Sequence, residues 1–188
     1  MVEFIDCEEE VYKYIGAEVQ KAQKRIGAFQ NSLSLLCDTR SPDKKHREQF
    51  AEISKDSIRR VVGKGGSCLL LYSYTYTRDE FFEDKTIGFE GRLTIFEQNL
   101  VEEEKLWKEH SNYRLSSIYR LSVPIIVVDD TYLIWAKLGD NSYVGTIKTD
   151  KGNADKIFGI LESCYVKKEV SRLLREITRR VSLRGDSL

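Results

Sequence analysis

Ser122-Val123-Pro124-Ile125-Ile126-Val127-Val128-Asp129-Asp130 is the stretch on which the fold of this 188-residue chain turns. A continuous apolar run closed by two carboxylates describes a strand buried on both faces and ended by a turn. C-terminal to it, residues 132–138 and 143–149 are two more strand-like runs, separated by Asp129-Asp130 and by Gly139-Asp140-Asn141-Ser142. That spacing predicts a three-stranded meander. Gly152-Asn153 then opens a helix through Ile157, Ile160, Leu161 and Tyr165, and its period continues through Val170, Leu173, Leu174, Ile177 and Val181.

On the N-terminal side the pattern changes to helix followed by strand. Asp6 and Glu9 have capping-box spacing, and Val11, Ile15, Val19, Ala22 and Ile26 recur at helical intervals, which predicts a helix over about residues 7–24. Ile26, Ala28 and Phe29 form a short strand that ends at Gln30-Asn31-Ser32. Ser41-Pro42 announces a second helix, with Phe50, Ile53, Ser57 and Val61 on one face and Gly63, Gly65 and Gly66 at its end. Residues 67–74 are nearly all apolar, as an internal strand requires. A polar, aromatic loop over 75–91, a strand at Leu93, Ile95 and Phe96, a charged helix over 99–110 and a strand over 113–120 complete the order.

Composition bounds the function without naming it. Hydrophobic residues make up 41% and charged residues 32%, in the range of a globular domain and outside that of disordered or collagenous chains. Thirty basic and thirty acidic residues cancel, so no global field steers nucleic acid or an anionic membrane. The acidic start, MVEFIDCEEE, is unlike a secretory signal, and the longest apolar run, 124–128, is far too short to span a bilayer. The four cysteines form no C-x-x-C pair and are expected to be buried reduced thiols of a cytoplasmic protein. Glycine-rich phosphate loops are missing too. Gly63-Lys64-Gly65-Gly66 ends a helix before a strand, the reverse of a phosphate cradle, and no cofactor or metal is expected.

Two helix-then-strand units, a meander and a final helix are the element order of one half of the phospholipase D fold. The chain resembles that superfamily, whose hallmark is H-x-K-x4-D on a meander strand, with histidine as nucleophile, lysine as phosphate binder and aspartate orienting the pair. Ser122 stands at the histidine position and Pro124 at the lysine position, while Asp129 fits and is followed by Asp130. Serine has no base at motif spacing, and proline cannot hold phosphate by charge. The resemblance therefore points away from catalysis. It is nearest to the effector-binding domain of TrmB-like archaeal transcription regulators, which Val123-Pro124-Ile125 and Thr146-Ile147-Lys148-Thr149-Asp150 are similar to. It implies an α/β fold: a mixed central sheet flanked by helices over residues 1–165, followed by a C-terminal amphipathic helix over 166–188. It also implies a non-catalytic domain that senses a ligand or recruits a partner in transcription regulation, with a homodimer replacing the paired halves of catalytic members. No winged helix is visible, so DNA reading is expected from a partner or from further chain. The alternatives are a phosphodiesterase or nuclease with a displaced catalytic set, and a pure protein-interaction module.

Ligands of open α/β sheets lie beyond the carboxyl ends of the strands. That rule selects Asn31 and Ser32 after the first strand, Tyr74, Tyr76 and Arg78 after the second, and Arg120 and Ser122 nearby, as a wall suited to a small polar or phosphorylated ligand. In the tail, seven basic residues against three acidic ones leave 166–188 at +4 and the remainder at −4. Leu173, Leu174 and Ile177 lie on its apolar stripe, with Arg172, Arg175 and Arg179 beside it. Such a helix is expected to dock on protein in preference to nucleic acid.

Overall fold

The alternating and doubly apolar runs assemble into one mixed sheet. Its strands are β1 (Val2–Asp6), β2 (Arg25–Gln30), β3 (Ser67–Ser73), β4 (Tyr113–Ile118), β5 (Ile125–Val128), β6 (Thr131–Lys137) and β7 (Tyr143–Thr149). They lie in the order β1-β7-β6-β5-β2-β3-β4. β2, β3 and β4 are parallel, β5 is antiparallel to β2, and the β5-β6-β7 meander continues to β1 at the far edge. The computed structural model describes residues 2–30, 45–73, 101, 105–118, 123–138, 142–166 and 179.

Helices α1 (Glu8–Lys21) and α2 (Lys45–Gly63) cover one face, and α3 (Lys151–Cys164) covers part of the other. Under α1 and α2, Val11, Ile15, Val19, Phe50, Ile58 and Val61 meet Ile26, Cys68, Leu70, Leu115 and Ile126. Under α3, Phe158 and Leu161 meet Phe29, Leu69, Leu71 and Val127. β3 is thus buried on both faces, as its unbroken apolar run requires. Each of these side chains contributes on the order of 2 kcal/mol by leaving water.

Helix ends follow local chemistry. α2 stops in a Schellman arrangement: Gly66 N–H donates to Val61 C=O at 2.9 Å, Gly65 N–H donates to Val62 C=O at 3.0 Å, and Gly65 takes φ 82°, which glycine alone adopts freely. α3 begins at Asp150, whose Oδ1 accepts from Asn153 N–H at 3.1 Å, a side-chain N-cap. That bond is the largest reason why the Asp150 carboxyl titrates below its ordinary range.

Several expectations need correction. β1 was not anticipated from the acidic N-terminus. Asp6 does not form a capping box; Cys7 is the N-cap of α1, and the Asp6 carboxylate accepts from Cys7 N–H at 3.0 Å and Tyr14 Oη–H at 3.0 Å. α3 does not run on through Tyr165, which is extended at φ −72°, ψ 125°. Ile160, expected on the apolar stripe, is 62% exposed, because the sheet-facing row is Ala154, Phe158 and Leu161. Of the three described cysteines only Cys68 is buried; Cys7 and Cys164 are half-buried, and none of the three is in a disulfide. Residues 75–91, the strand near 93–96 and Cys37 lie outside the described residues.

α3 approaches the sheet closely at Gly27, where a Cβ would come within 2.6 Å of the Phe158 ring. Gly27→Ala is therefore expected to cost about 1–3 kcal/mol by overpacking. Urea denaturation measures it, and an unchanged midpoint would mean that Phe158 moves aside freely.

Candidate functional site

The register brings the carboxyl ends of β2, β3 and β4 together with the start of β5. Gln30 pairs with Tyr72, Tyr72 with Ser117, and Phe29 with Ile125. The segments that carry the expected ligand wall therefore leave the sheet from one edge. Asn31, Ser32, Tyr74, Tyr76, Arg78, Arg120 and Ser122 themselves lie outside the described residues. So do Arg172, Leu173, Leu174, Arg175 and Ile177 of the tail; Arg179 is exposed. Pro124 is described: it precedes β5, has no N–H to give, and offers its C=O to Trp135 N–H at 3.4 Å.

Asp129 sits at the opposite edge. The four residues of β5 separate it from Pro124, five steps or roughly 16 Å at strand rise. Its Oδ1 accepts from the N–H groups of Lys24 at 2.8 Å and Arg25 at 2.9 Å, and its Oδ2 from that of Gln23 at 2.9 Å. Its own N–H donates to Arg25 C=O at 3.1 Å, and Arg25 Nε donates to Asp129 C=O at 2.9 Å. The residue takes φ 50° at the first position of the two-residue β5–β6 turn, a conformation that Asp tolerates better than most side chains. Both oxygens of this carboxylate accept from the backbone entering β2.

The same edge holds a clasp that sequence reasoning missed. Arg25 reaches Asp155 of α3, Nη2 to Oδ1 at 2.5 Å, and lies over the Phe158 ring with 5.1 Å to its centroid. Hydrogen bonds from Lys151 and then Arg25 hold the Asp155 carboxyl below its ordinary value. At the other end of α3, Arg114 of β4 reaches Glu162 at 2.8 Å and Ser67 Oγ at 3.1 Å. Arginines near the amino ends of two strands and carboxylates seven residues apart on a helix are recognisable in sequence only once β2, β4 and α3 are known to be layered.

α3 is held at the amino ends of β2 and β4, and among the described helices it alone lies on that face. Towards the carboxyl end of the meander lies a shallow groove of about 630 Å³. It is lined by Val123, Ile134, Ala136, Val144, Thr146 and Glu3, with the backbone of Trp135 and Gly145 at its floor. Registers Ile125 with Ile134, Ile134 with Thr146, Ala136 with Val144 and Glu3 with Thr146 set these side chains on the α3 face. The missed signal was β1, which supplies Glu3. Among the described residues no cluster of His, Cys, Asp or Glu is placed to hold a metal, and no described helix is long and apolar enough to cross a membrane.

No protein-family model and no curated protein sequence matches the chain. Solved structures do. TrmBL2, an archaeal chromatin protein that binds DNA, superimposes with a TM-score of 0.51 at 10% identity over 87% of this chain, which spans 51% of TrmBL2. Nuc from Salmonella typhimurium, a phospholipase D family member, aligns at a TM-score of 0.48 and 10% identity over 86% of this chain and 92% of its own. The resemblance to TrmB-like proteins that the sequence carried holds at the level of the fold.

Replacing Asp129 tests its structural assignment. Asp129→Ala removes two acceptor oxygens and their three charge-assisted hydrogen bonds and leaves a side chain without polar compensation at positive φ, for an expected loss of about 2–3 kcal/mol. Asp129→Asn keeps an acceptor and the turn preference and is expected to cost ~1 kcal/mol. Chemical denaturation of both variants orders them, and equal stability of Asp129→Ala and the parent protein would refute the assignment.

Proposed function

We propose that this chain is a non-catalytic phospholipase D-like domain that senses a small polar or phosphorylated ligand, or recruits a partner, in transcription regulation or chromatin organisation. One observation carries the reading. On the motif strand, serine and proline occupy the positions of nucleophile and phosphate-binding lysine, while Asp129 is bound to backbone N–H groups at the far end. An imidazole nucleophile has no counterpart there, and the remaining carboxylate has no free role in phosphoryl transfer. The fold similarity to TrmBL2 supports the regulatory setting. The ligand is proposed to meet the segments after β2 and β3 and before β5, where amide, hydroxyl and guanidinium groups suit a sugar or phosphate.

Hydrolysis of a chromogenic phosphodiester and of single-stranded DNA, with and without divalent cations, tests the non-catalytic reading. No turnover above buffer is expected. Turnover abolished by Ser122→Ala would establish the phosphodiesterase instead.

A homodimer is part of the proposal. β1 pairs only with β7, and β4 only with β3, among the described strands, and open edges of this kind favour pairing of identical copies. Sedimentation at micromolar concentration is expected to give twice the chain mass of 21.8 kDa. A single species at chain mass would remove the dimer and leave the sensing role standing.

A further inference from the structure

β1 and β4 end the sheet, and they end it differently. On β4, Tyr113, Leu115 and Ser116 are buried, and Arg114 is held by Glu162 and Ser67. On β1, Glu3 is exposed, and extensive contact is made with β7 alone. Among the described helices, α1 packs on α2 and β5, α2 also on β2 and β3, and α3 on β2, β3, β5 and β6. None of them packs extensively on β1, so its outer row of backbone N–H and C=O groups is a template for a further strand.

We infer that β1 is the strand by which two copies of this chain join, antiparallel and about a two-fold axis at Phe4, so that one sheet runs through both copies. The inference rests on the homodimer proposed above and names the surface that forms it.

The first support is the order of residues in β1, Val2-Glu3-Phe4-Ile5-Asp6. A two-fold axis normal to the sheet keeps every position on its own face, and residues opposite one another in an antiparallel pair share a face. Such an axis therefore passes through a residue. An axis at Glu3 sets that carboxylate against its own copy, and like charges directly opposite are destabilising. An axis at Ile5 leaves Val2 and Glu3 without partners in the strand. The axis at Phe4 pairs all five residues of β1, with Glu3 opposite Ile5 of the second copy and Asp6 opposite Val2. No carboxylate then faces another directly, and the two Glu3 positions become diagonal neighbours at ~7–8 Å, where water screens them.

The second support is charge. The Asp6 carboxylate is already met by Cys7 N–H at 3.0 Å and Tyr14 Oη–H at 3.0 Å, which leaves Glu3 as the exposed carboxylate of β1. A charge on an edge strand ordinarily blunts it against pairing. Placed one residue from the axis, it excludes the slipped pairing about itself and so fixes the register.

Sedimentation equilibrium of the full chain over a micromolar series tests the inference, with thermal melting of every variant. Ile5→Glu sets a carboxylate opposite Glu3 at both symmetry-related places and is expected to weaken dimerisation roughly tenfold. Adding Glu3→Lys to Ile5→Glu converts each repulsion into an attraction and is expected to return the dissociation constant to within about threefold of the parent's. Should Ile5→Glu lower the melting transition, cross-linking decides instead. A short bismaleimide is expected to join Glu3→Cys copies well above the level that the native cysteines give, because ~7–8 Å separates the two positions. A parent chain that sediments at 21.8 kDa throughout overturns this inference and the homodimer together. A dimeric parent whose Ile5→Glu variant associates as tightly, or whose double variant stays as weak as Ile5→Glu, overturns pairing at β1 and leaves the homodimer standing. So does cross-linking of Glu3→Cys at the parental level.

Discussion

One carboxylate organises the amino edge of the sheet. Asp129 closes the β5–β6 turn and accepts three consecutive backbone N–H groups where the chain passes from α1 into β2. These N–H groups lie at Gln23, Lys24 and the first residue of β2 and have no partner within a helix, so leaving them unpaired would cost about 1–3 kcal/mol each where they are buried. Arg25 extends the network, linking the Asp129 carbonyl to Asp155 of α3. Two loops more than a hundred residues apart and one helix are thereby registered on one another. The antiparallel contact of β5 with β2 joins the parallel half of the sheet to the meander, and it begins at this point.

That arrangement makes the two ends of the sheet unlike each other. The amino edge is filled with satisfied polar groups and with α3, clasped by Arg25 and Arg114. The carboxyl edge is where segments leave the sheet, and the apolar groove opens on that side of the α3 face. The aspartate that closes the Ser122-to-Asp129 stretch is committed to the first edge by three backbone N–H groups.

Much of this was legible in the residues. The unbroken apolar run of β3 predicted burial on both faces, and the Asp129-Asp130 and 139–142 turns predicted the meander; period-two and turn chemistry act within a few residues, and nothing distant overrides them here. The glycine stop after α2 was equally local. The exposure of Ile160 was not. Its spacing from Ile157 and Leu161 is compatible with one stripe, and only the angle at which α3 crosses the sheet selects Ala154, Phe158 and Leu161 instead. The end of α3 at Cys164 was hidden for a related reason, since the hydrophobic period continues through a residue, Tyr165, whose backbone is extended.

By itself the sequence determined the α/β element order, the missing imidazole and ammonium groups of the hydrolase motif, and the separation of charge between tail and body, because composition and local spacing carry these. Tertiary structure alone decided what Asp129 does. A carboxylate after a buried strand has the same sequence pattern whether it orients a catalytic pair or caps a loop, and the difference lies in which N–H groups stand within 3 Å of it. The groove belongs to the same class: β1, a five-residue segment with two acidic residues, becomes a strand only by pairing with β7, and the groove's lining comes from β1, β6, β7 and Val123, which are distant in sequence. Contacts between residues far apart in the chain settle such questions, and local pattern cannot encode them.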